Sequence, residues 1–422
     1  MSVEYEPLSS ATRQDPYPLF AELRANDPVH FAPGSGTYCI SRYADAVFVL
    51  KHPELFSSRA MQDVLMHVDV PVLTPRYVFF LLQFLWKTKV NPFALQKIGN
   101  LVTLDPPRHD AMRSIANRGF SPRRIAAWEP RAREVVAQQL RRLDETGRFD
   151  AVEDLAIPLP VTIISEMLGI EDERKADFKR WSDGIVAIAS GAAKQNPFES
   201  GVLDVFAALY CYMKQAVRER RKNPQDDLIS VLVDPAQKDS LSELEAVQFV
   251  VLLLVAGNET TTNLIGNAVN ALLDHPEALE RVAADPARVP GLIEETLRYD
   301  SPIQQVFRTA TVDTEIGGVR IPKDAVVAVV LGSANRDSDR FDRADEFDID
   351  RDARGHLAFG LGVHFCLGSS LARLEARVAL EALTPELPRL KSVGSRDEFI
   401  DSFLVRGRRH LQLAAEGAMI SG

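Results

Sequence analysis

One cysteine near the carboxyl end of the chain stands in a glycine-rich stretch that favours a reactive or metal-binding thiolate. Cys366 is flanked by Gly362 and Gly368, and glycine permits close approach because it carries no side chain. Apolar residues then recur at helical spacing, which predicts that Cys366 lies just before a helix amino terminus. Amide groups and the helix dipole stabilise a thiolate there, so the sulfur is predicted to be a ligand or a nucleophile. The alternative is a buried, unreactive cysteine, the usual state of a lone thiol.

The stretch 359–368 has the pattern F-x-x-G-x-H-x-C-x-G and resembles the heme-binding loop of the cytochrome P-450 family. The resemblance covers essentially the whole chain. It implies one triangular domain over residues 1–422, of the α+β class, mostly α-helical with small β-sheets. It also implies heme b (iron protoporphyrin IX) as cofactor, with Cys366 as the iron ligand and Phe359 and Gly368 in the cofactor-binding loop.

A long helix is predicted to position a second motif. Ser242 and Glu245 form a capping box, and apolar residues continue to Leu273. This pattern predicts a helix of about 30 residues, roughly 45 Å long. Residues 249–256 are apolar on every side, so the helix is predicted to run through the core, and the run is too short to span a membrane.

The motif within that helix is Ala256-Gly257-Asn258-Glu259-Thr260. Small residues at Ala256 and Gly257 would let a flat cofactor lie against the backbone, and a carboxyl beside a hydroxyl can carry protons. The alternative is a surface turn without a functional role at the end of the apolar run. The resemblance implies that Glu259 and Thr260 supply the protons needed to cleave dioxygen, while Asn258 replaces a histidine common in bacterial members.

Two further groups of residues receive roles from the resemblance. Glu295 and Arg298 match an E-x-x-R motif whose pair is buried in the family and tied to a second arginine, for which Arg351 is the candidate. These three residues would have a structural role, holding the thiolate loop. The heme propionates would be bound by four cationic or hydrogen-bonding side chains: His109, Arg113, Arg308 and His364.

The substrate site is predicted only in outline. By resemblance the pocket is formed by Leu253, Ala256, Gly257, Ile303, Gln304, Val306, Phe403 and Leu404. Either Gln304 or Gln305 could hydrogen-bond the substrate or face solvent. Residues 58–103 correspond to the segment that roofs the pocket in the family, and the apolar stretch 77–86 is either a specialised lid or a buried core helix.

Composition excludes several classes of protein. The chain has 422 residues, 46% of them hydrophobic, and a net charge of −10, which argues against nucleic acid as the main partner. Three widely separated cysteines suggest neither a disulfide framework nor a zinc cluster, which indicates a reducing cytoplasm. The amino-terminal residues lack an apolar signal core, so no membrane anchor is predicted.

The chain contains neither a complete dinucleotide fingerprint nor a P-loop, and no fused flavin reductase is expected. Electrons are therefore predicted to come from a ferredoxin or flavodoxin type donor with its reductase. A possible docking surface is a set of arginines, which could equally be a solvated helix face: Arg108, Arg113, Arg118, Arg123, Arg124, Arg373 and Arg377.

The function predicted from the resemblance is a heme-thiolate monooxygenase. It would insert one oxygen atom from O2 into a hydrophobic small molecule such as a steroid, terpenoid, fatty acid or macrolide. One alternative is a peroxide-driven hydroxylase on the same fold, which would be expected to lack the acid–alcohol pair. The other is a heme carrier or sensor without turnover.

Elsewhere, local patterns predict the remaining elements. Asp15 and Pro16 are predicted to begin a helix that ends near residue 26. Residues 29–31 and 37–42 form a predicted hairpin, followed by a helix at 43–51. Strands are predicted within 316–333 and 403–413, with helices dominating between residues 108 and 222.

Overall fold

The computed structural model describes most of the chain. The described residues are 3–9, 11, 14–65, 82, 83, 85–88, 99–174, 177, 178, 180, 181, 202–234, 236 and 240–416. The chain divides into two compact units. The first comprises Met1–Ala60, Pro122–Pro160 and Asn258–Gly422, and the second comprises Met61–Ser121 and Val161–Gly257. The single-domain organisation stays a prediction.

Helices make up most of the described structure. They are α1 (Tyr17–Asn26), α2 (Tyr43–Lys51), α3 (Arg59–Leu65), α4 (Arg108–Gly119), α5 (Pro122–Ala126), α6 (Glu129–Thr146), α7 (Pro158–Met167), α8 (Val202–Lys222), α9 (Leu228–Val233), α10 (Glu243–Asp274), α11 (Pro276–Ala284), α12 (Val289–Tyr299), α13 (Leu331–Ala334) and α14 (Ser369–Leu383). A π-helix at Ala151–Ala156 and 3-10 turns at Asp172–Arg174, Pro286–Arg288, Gly362–His364 and Leu387–Arg389 complete them.

Three small sheets belong to the first unit. The strands are β1 (Val29–Ala32), β2 (Thr37–Ile40), β3 (Phe56–Ser57), β4 (Arg148–Asp150), β5 (Val306–Ala310), β6 (Thr314–Ile316), β7 (Val319–Ile321), β8 (Val326–Val329), β9 (Leu390–Ser392) and β10 (Gln412–Ala415). The largest sheet has the order β1-β2-β8-β5-β3, in which only the β2–β8 pair is parallel. Its core contains the buried side chains of Val29, Ile40, Phe56, Val327 and Val329.

The long helix α10 begins as its sequence predicts. The Glu245 carboxylate accepts a hydrogen bond from the Ser242 amide at 2.9 Å, and the Ser242 hydroxyl accepts one from the Glu245 amide at 3.3 Å. These two bonds complete a capping box ahead of a helix of 32 residues. Among the described residues, α10 is the one helix long and apolar enough to cross a membrane, but 65% of its most apolar window is buried within the protein.

The environment of α10 departs from the predicted burial on every side, and residues 251–253 are only half-buried. Phe249 and Val250 are buried, whereas Ala256 is exposed and Gly257 and Thr260 are only half-buried. The helix is therefore uncovered on one side at the motif. A continuous apolar sequence could not distinguish a helix packed on every side from one that leaves a face open.

Three local predictions need correction. Helix α1 begins at Tyr17, with Pro16 as the N-cap, although the Asp15 carboxylate does accept the Tyr17 amide at 3.3 Å. The predicted strand at 316–333 ends with β8, because Leu331–Ala334 is a short helix. Within 403–413, isolated bridges at Val405 and Arg408 precede β10, because the backbone there bonds first to residues 302–304 and then to residues 398–400, without a continuous ladder. The hairpin of β1 with β2 and the helix α2 are confirmed.

Candidate active site

Cys366 lies at the end of a tightly turned loop, three residues before the first residue of α14. Its amide donates to the Phe359 carbonyl at 2.8 Å, which closes the loop. Gly360 and Gly362 have φ angles of 68° and 72°, in the left-handed region that glycine tolerates best. A Cβ atom on Gly362 would lie 2.6 Å from the Leu50 carbonyl oxygen, so the loop requires glycine there. The sulfur-bearing residue remains half-buried just ahead of the helix amino terminus.

A charged cluster supports this loop, and the sequence did not reveal it. Glu294 on α12 accepts two hydrogen bonds from Arg373 on α14, at 2.6 and 3.0 Å, and one from His356 Nε2 at 3.2 Å. The Arg373 guanidinium lies over the Phe359 ring, 4.5 Å from its centroid. Burial acts to raise the pKa of Glu294, but the His356 and Arg373 hydrogen bonds outweigh it and lower the pKa to about 2. Glu294 is therefore a carboxylate that fixes both neighbours.

The predicted pairing of Glu295, Arg298 and Arg351 is present. Arg298 Nη2 and Nε each donate to Glu295 at 2.8 Å, and the side chains of both residues are fully buried. Arg351 Nε donates to the same carboxylate at 3.3 Å. Arg298 also donates to the carbonyls of Asn335, Ala344 and Glu346, at distances of 2.7 to 3.0 Å. The helix α12 is thereby fastened to the chain that precedes the thiolate loop.

The four candidate propionate ligands occur in pairs in the two units. In the first unit, Arg308 is buried within β5, and His364 Nε2 lies 2.8 Å from the Ser58 hydroxyl. In the second unit, His109 and Arg113 lie four residues apart on one face of α4, with His109 almost fully buried. Ser58 has no motif in the sequence and is found only through this contact.

The acid–alcohol pair lies on α10. Glu259 is 8% exposed, and its Oε1 atom has no hydrogen-bond partner among the described residues. Burial raises the pKa of its carboxyl to about 7. Thr260 follows directly and is half-buried. A carboxyl group with a pKa near neutrality can both hold and release a proton under physiological conditions.

Comparison with known proteins decides the family. A family model described as Cytochrome P450 matches residues 85–385, which is most of the chain. The chain belongs to the cytochrome P450 family. The 6-deoxyerythronolide B hydroxylase of Saccharopolyspora erythraea is 35% identical over 416 residues, covering 97% of this chain and 98% of that protein.

Solved structures agree with this assignment. The cytochrome P450 CYP109Q5 from Chondromyces apiculatus superposes with a TM-score of 0.85 at 39% identity, covering 98% of this chain and 99% of the other. The CYP109E1 structure from Bacillus megaterium in complex with testosterone gives a TM-score of 0.80 at 31% identity, covering 95% and 99%. This P450 therefore has the predicted mostly α-helical P450 fold, binds heme b and is a monooxygenase.

The residues of this P450 suit a heme that is held by one thiolate. Among the described residues, no group of three or more His, Cys, Asp or Glu side chains could hold a metal ion by itself. A Cβ atom built on Gly257 or on Gly368 would meet nothing within 4 Å, so the backbone at both positions has an open side. A single cysteine two residues before the open backbone of Gly368 fits a flat cofactor better than a caged metal ion.

The candidate substrate residues of the first unit lie on two paired segments. Ile303 forms a β-bridge with Val405, and the backbone N–H of Gln304 donates to the Leu404 carbonyl at 2.9 Å. The Phe307 ring contacts the Phe403 ring edge-to-face, with centroids 6.1 Å apart. Val306 begins β5, and Leu253, in the second unit, is partly buried on α10. The apolar stretch 77–86 lies largely outside the described residues.

The two glutamines hydrogen-bond the protein itself. Gln304 Nε2 donates to the Ser301 carbonyl at 2.7 Å. Gln305 is almost fully buried, donates to the Pro7 and Phe403 carbonyls and accepts from the Tyr5 hydroxyl at 3.1 Å. The amide of Gln305 therefore joins the amino-terminal segment to the Phe403 segment.

The buried carboxyl of Glu259 is expected to make stability depend on pH. Between the ordinary pKa of 4.5 and about 7, the folded protein keeps a proton that the unfolded chain has released. Stability should therefore fall as pH rises through this window, by up to about 3 kcal/mol. Glu259→Gln should make this decline shallower. Part of the decline should remain in the variant, because burial also raises the pKa of Glu375, to about 8. Denaturant unfolding of the heme-loaded protein at several pH values measures the free energy of unfolding of both proteins.

The exposed Glu280 on α11 provides the matched control. Glu280→Gln should keep the decline of the parent protein. A Glu259→Gln variant that loses stability with rising pH as steeply as the parent would contradict the assignment.

Proposed function

We propose that this P450 inserts one oxygen atom from O2 into a hydrophobic small molecule of the steroid, terpenoid, fatty acid or macrolide class. The observation that carries the proposal is the buried carboxyl group of Glu259, with a pKa of about 7, directly before Thr260 on α10. Support for the substrate class comes from relatives, since one is a 6-deoxyerythronolide B hydroxylase and another binds testosterone.

Each part of the mechanism is assigned to specific residues. Bound heme supplies the redox chemistry of dioxygen, and a thiolate ligand favours cleavage of the O–O bond. Cys366 would provide that thiolate, and its amide bond to the Phe359 carbonyl holds the backbone of the loop at this residue. His109, Arg113, Arg308 and His364 are the residues that would hold the propionates, as the resemblance to the family implies.

Proton supply is the role of the acid–alcohol pair. Glu259 holds a proton on its buried carboxyl group and releases it toward the reacting oxygen. Thr260 offers a hydroxyl that both donates and accepts, so it orients the proton donor next to it. Because burial holds the pKa of Glu259 at about 7, release and reprotonation are both accessible near neutral pH.

The Thr260→Ala variant tests the proposed function. Loss of the hydroxyl should misdirect protons, so the ratio of hydrogen peroxide to hydroxylated product should rise about tenfold or more. Thr260→Ser retains the hydroxyl and should restore most of the coupling. Peroxide, product and consumed cofactor are measured with a surrogate ferredoxin, its reductase and a panel of lipophilic compounds. Unchanged coupling in the alanine variant would remove Thr260 from the mechanism.

The electron donor is proposed to be an acidic ferredoxin or flavodoxin that docks beside the thiolate loop. The helix α14, which follows Cys366, packs against α5 and α6. On α5, Arg123 and Arg124 are exposed, and Phe365 next to Cys366 is an exposed apolar side chain. At least three arginines of the predicted patch contribute less net charge, because Arg108 pairs with Glu245, Arg373 pairs with Glu294, and Arg377 pairs with Glu129 and Glu381.

Neutralising the exposed pair should weaken docking. The double variant Arg123→Gln and Arg124→Gln should raise the half-saturating concentration of the electron donor about three- to tenfold at low ionic strength. The difference should shrink as salt is added, because exposed charges are screened. Steady-state reduction kinetics measure the half-saturating concentration, and a variant of the exposed Arg354, Arg354→Gln, is the control. An unchanged half-saturating concentration at low salt would reject this surface.

A cytoplasmic location is part of the proposal. Its support is that Cys39, Cys211 and Cys366 form no disulfide, as expected in a reducing compartment.

A further inference from the structure

Polar side chains with unsatisfied atoms recur every four residues along α10. They are Glu259, Asn263 and Asn267, and each is at least nine-tenths buried. Among the described residues, Glu259 Oε1, both amide atoms of Asn263 and Asn267 Oδ1 have no hydrogen-bond partner. Residues at positions i, i+4 and i+8 share one helix face, and eight residues rise about 12 Å. The three side chains therefore form a buried polar row of that length.

The row ends at a cavity that reaches the surface. Asn267 lines a cavity of about 480 Å³ together with Asp15, Asp274 and Arg408. Asp15 and Asp274 are exposed, so this end of the cavity is in contact with solvent. Arg408 Nη1, in contrast, is buried without a partner among the described residues. The cavity thus connects exposed carboxylates with the last residue of the polar row.

A second segment lies along the same helix face. Asn267 Nδ2 donates to the Arg406 carbonyl at 3.2 Å and to the Asp300 carbonyl at 3.0 Å. A Cβ atom on Gly407 would come within 2.0 Å of Asn263 Oδ1, so only glycine allows the backbone to approach the Asn263 amide this closely. Asn263 and Asn267 are therefore covered by residues 406 and 407, and Glu259 is buried at the other end of the row.

Buried polar groups without partners are uncommon, because each loses its bonds to water and gains none in return. Their usual explanation is ordered water, which typically bridges two to four polar groups. A row of such groups leading from a solvent-exposed cavity to a carboxyl suits a chain of water molecules. The Asn263 amide can both donate to and accept from such waters, since both of its polar atoms lack partners among the described residues. Asn267 can accept through Oδ1, because its Nδ2 hydrogens already donate to the Asp300 and Arg406 carbonyls.

We propose that Asn263 and Asn267 hold a file of water molecules through which protons return from the cavity to Glu259. The proposal rests on the proposed function of Glu259 as a proton donor and adds the route by which it is recharged. After Glu259 has released its proton, the carboxylate accepts one from the nearest water. Each water in turn accepts a proton from its neighbour on the cavity side, and the last takes one from solvent. One proton moves inward, no electron is transferred, and the waters are unchanged.

The test follows proton exchange at Glu259 directly, in the resting heme-loaded protein. The infrared C=O stretch of the Glu259 carboxyl is assigned by its disappearance in Glu259→Gln. Its shift after rapid mixing into D2O gives the exchange rate. Asn263→Leu and Asn267→Leu have apolar side chains of similar size, so each should slow the exchange at least tenfold. Asn263→Ser and Asn267→Ser keep a polar group and leave room for water, so both should exchange as the parent does.

Thr262→Val is the matched control on the same helix. The Thr262 hydroxyl is also buried, but it donates to the Ala156 carbonyl at 2.9 Å and takes no part in the row. This variant should lose stability without slowing exchange. Equal exchange rates in the parent and in both leucine variants would overturn the proposal, as would equal slowing in Thr262→Val.

A second measurement separates this proposal from the function of Glu259 itself. The ratio of peroxide to product should rise in Glu259→Gln and in both leucine variants. If exchange slows in the leucine variants while Glu259→Gln leaves that ratio unchanged, the water file stands and the catalytic role of Glu259 fails. If the ratio rises only in Glu259→Gln, the file does not supply turnover.

Discussion

The Cys366→Ser variant is expected to lose both turnover and the optical signature of thiolate ligation. A hydroxyl is a far weaker electron donor to iron than a thiolate, so cleavage of the O–O bond is no longer favoured. The loop itself should persist, because the Cys366 amide bond to the Phe359 carbonyl and the left-handed Gly360 and Gly362 do not depend on the sulfur. The measurement is the Soret band of the reduced protein with carbon monoxide, together with product formation.

Cys211→Ser is the control, because Cys211 is a free thiol exposed on α8. It should retain the thiolate band and full activity. A folded, heme-containing Cys366→Ser protein that kept the thiolate band would overturn the assignment of the iron ligand.

The Arg298→Met variant is expected to destabilise the protein by about 3–5 kcal/mol. Removing one partner of a buried ion pair leaves the other charge in a medium that solvates it poorly. Here Glu295 would keep the bond from the Asp348 amide and the longer bond from Arg351, but it would lose both bonds from Arg298. The carbonyls of Asn335, Ala344 and Glu346 would also lose a donor. Equilibrium denaturation measures the loss, and heme retention should fall with it.

The surface pair of Arg354 and Asp352 provides a stringent control, because it has the same two-bond geometry. Its distances are 2.7 and 2.6 Å, but the two side chains are 87% and 61% exposed. Arg354→Met should therefore cost less than about 1 kcal/mol. Equal losses in the two variants would show that burial does not determine the strength of the E-x-x-R pair.

Sequence reasoning succeeded where a short local pattern has one structural meaning. The capping box of Ser242 and Glu245 forms at the start of α10, and the helix continues to Asp274. The glycines around Cys366 adopt the turned loop that their spacing predicts, directly ahead of a helix. The contact between Arg351 and Glu295 was predicted through the resemblance to the family, since 56 residues separate the two in the sequence.

The rest of the site depends on contacts that no local pattern encodes. Glu294 is one residue from the motif glutamate, yet its role is visible only where α12 meets Arg373 and His356. Ser58 contacts His364 although 306 residues separate them. Residues 331–333 and 403–411 were overpredicted as strand, because alternation of apolar residues also occurs in a short helix and in segments with isolated bridges.

The amide of Gln305 has a practical consequence for work on this enzyme. It joins the segment around Tyr5 and Pro7 to the carbonyl of Phe403, so these two distant segments share one buried anchor. A purification tag or a proteolytic trim that pulls the first residues away would leave that anchor unsatisfied and loosen the loop on which Phe403 sits. Ligand preferences recorded on tagged and untagged preparations should accordingly be compared before either is ascribed to the native enzyme.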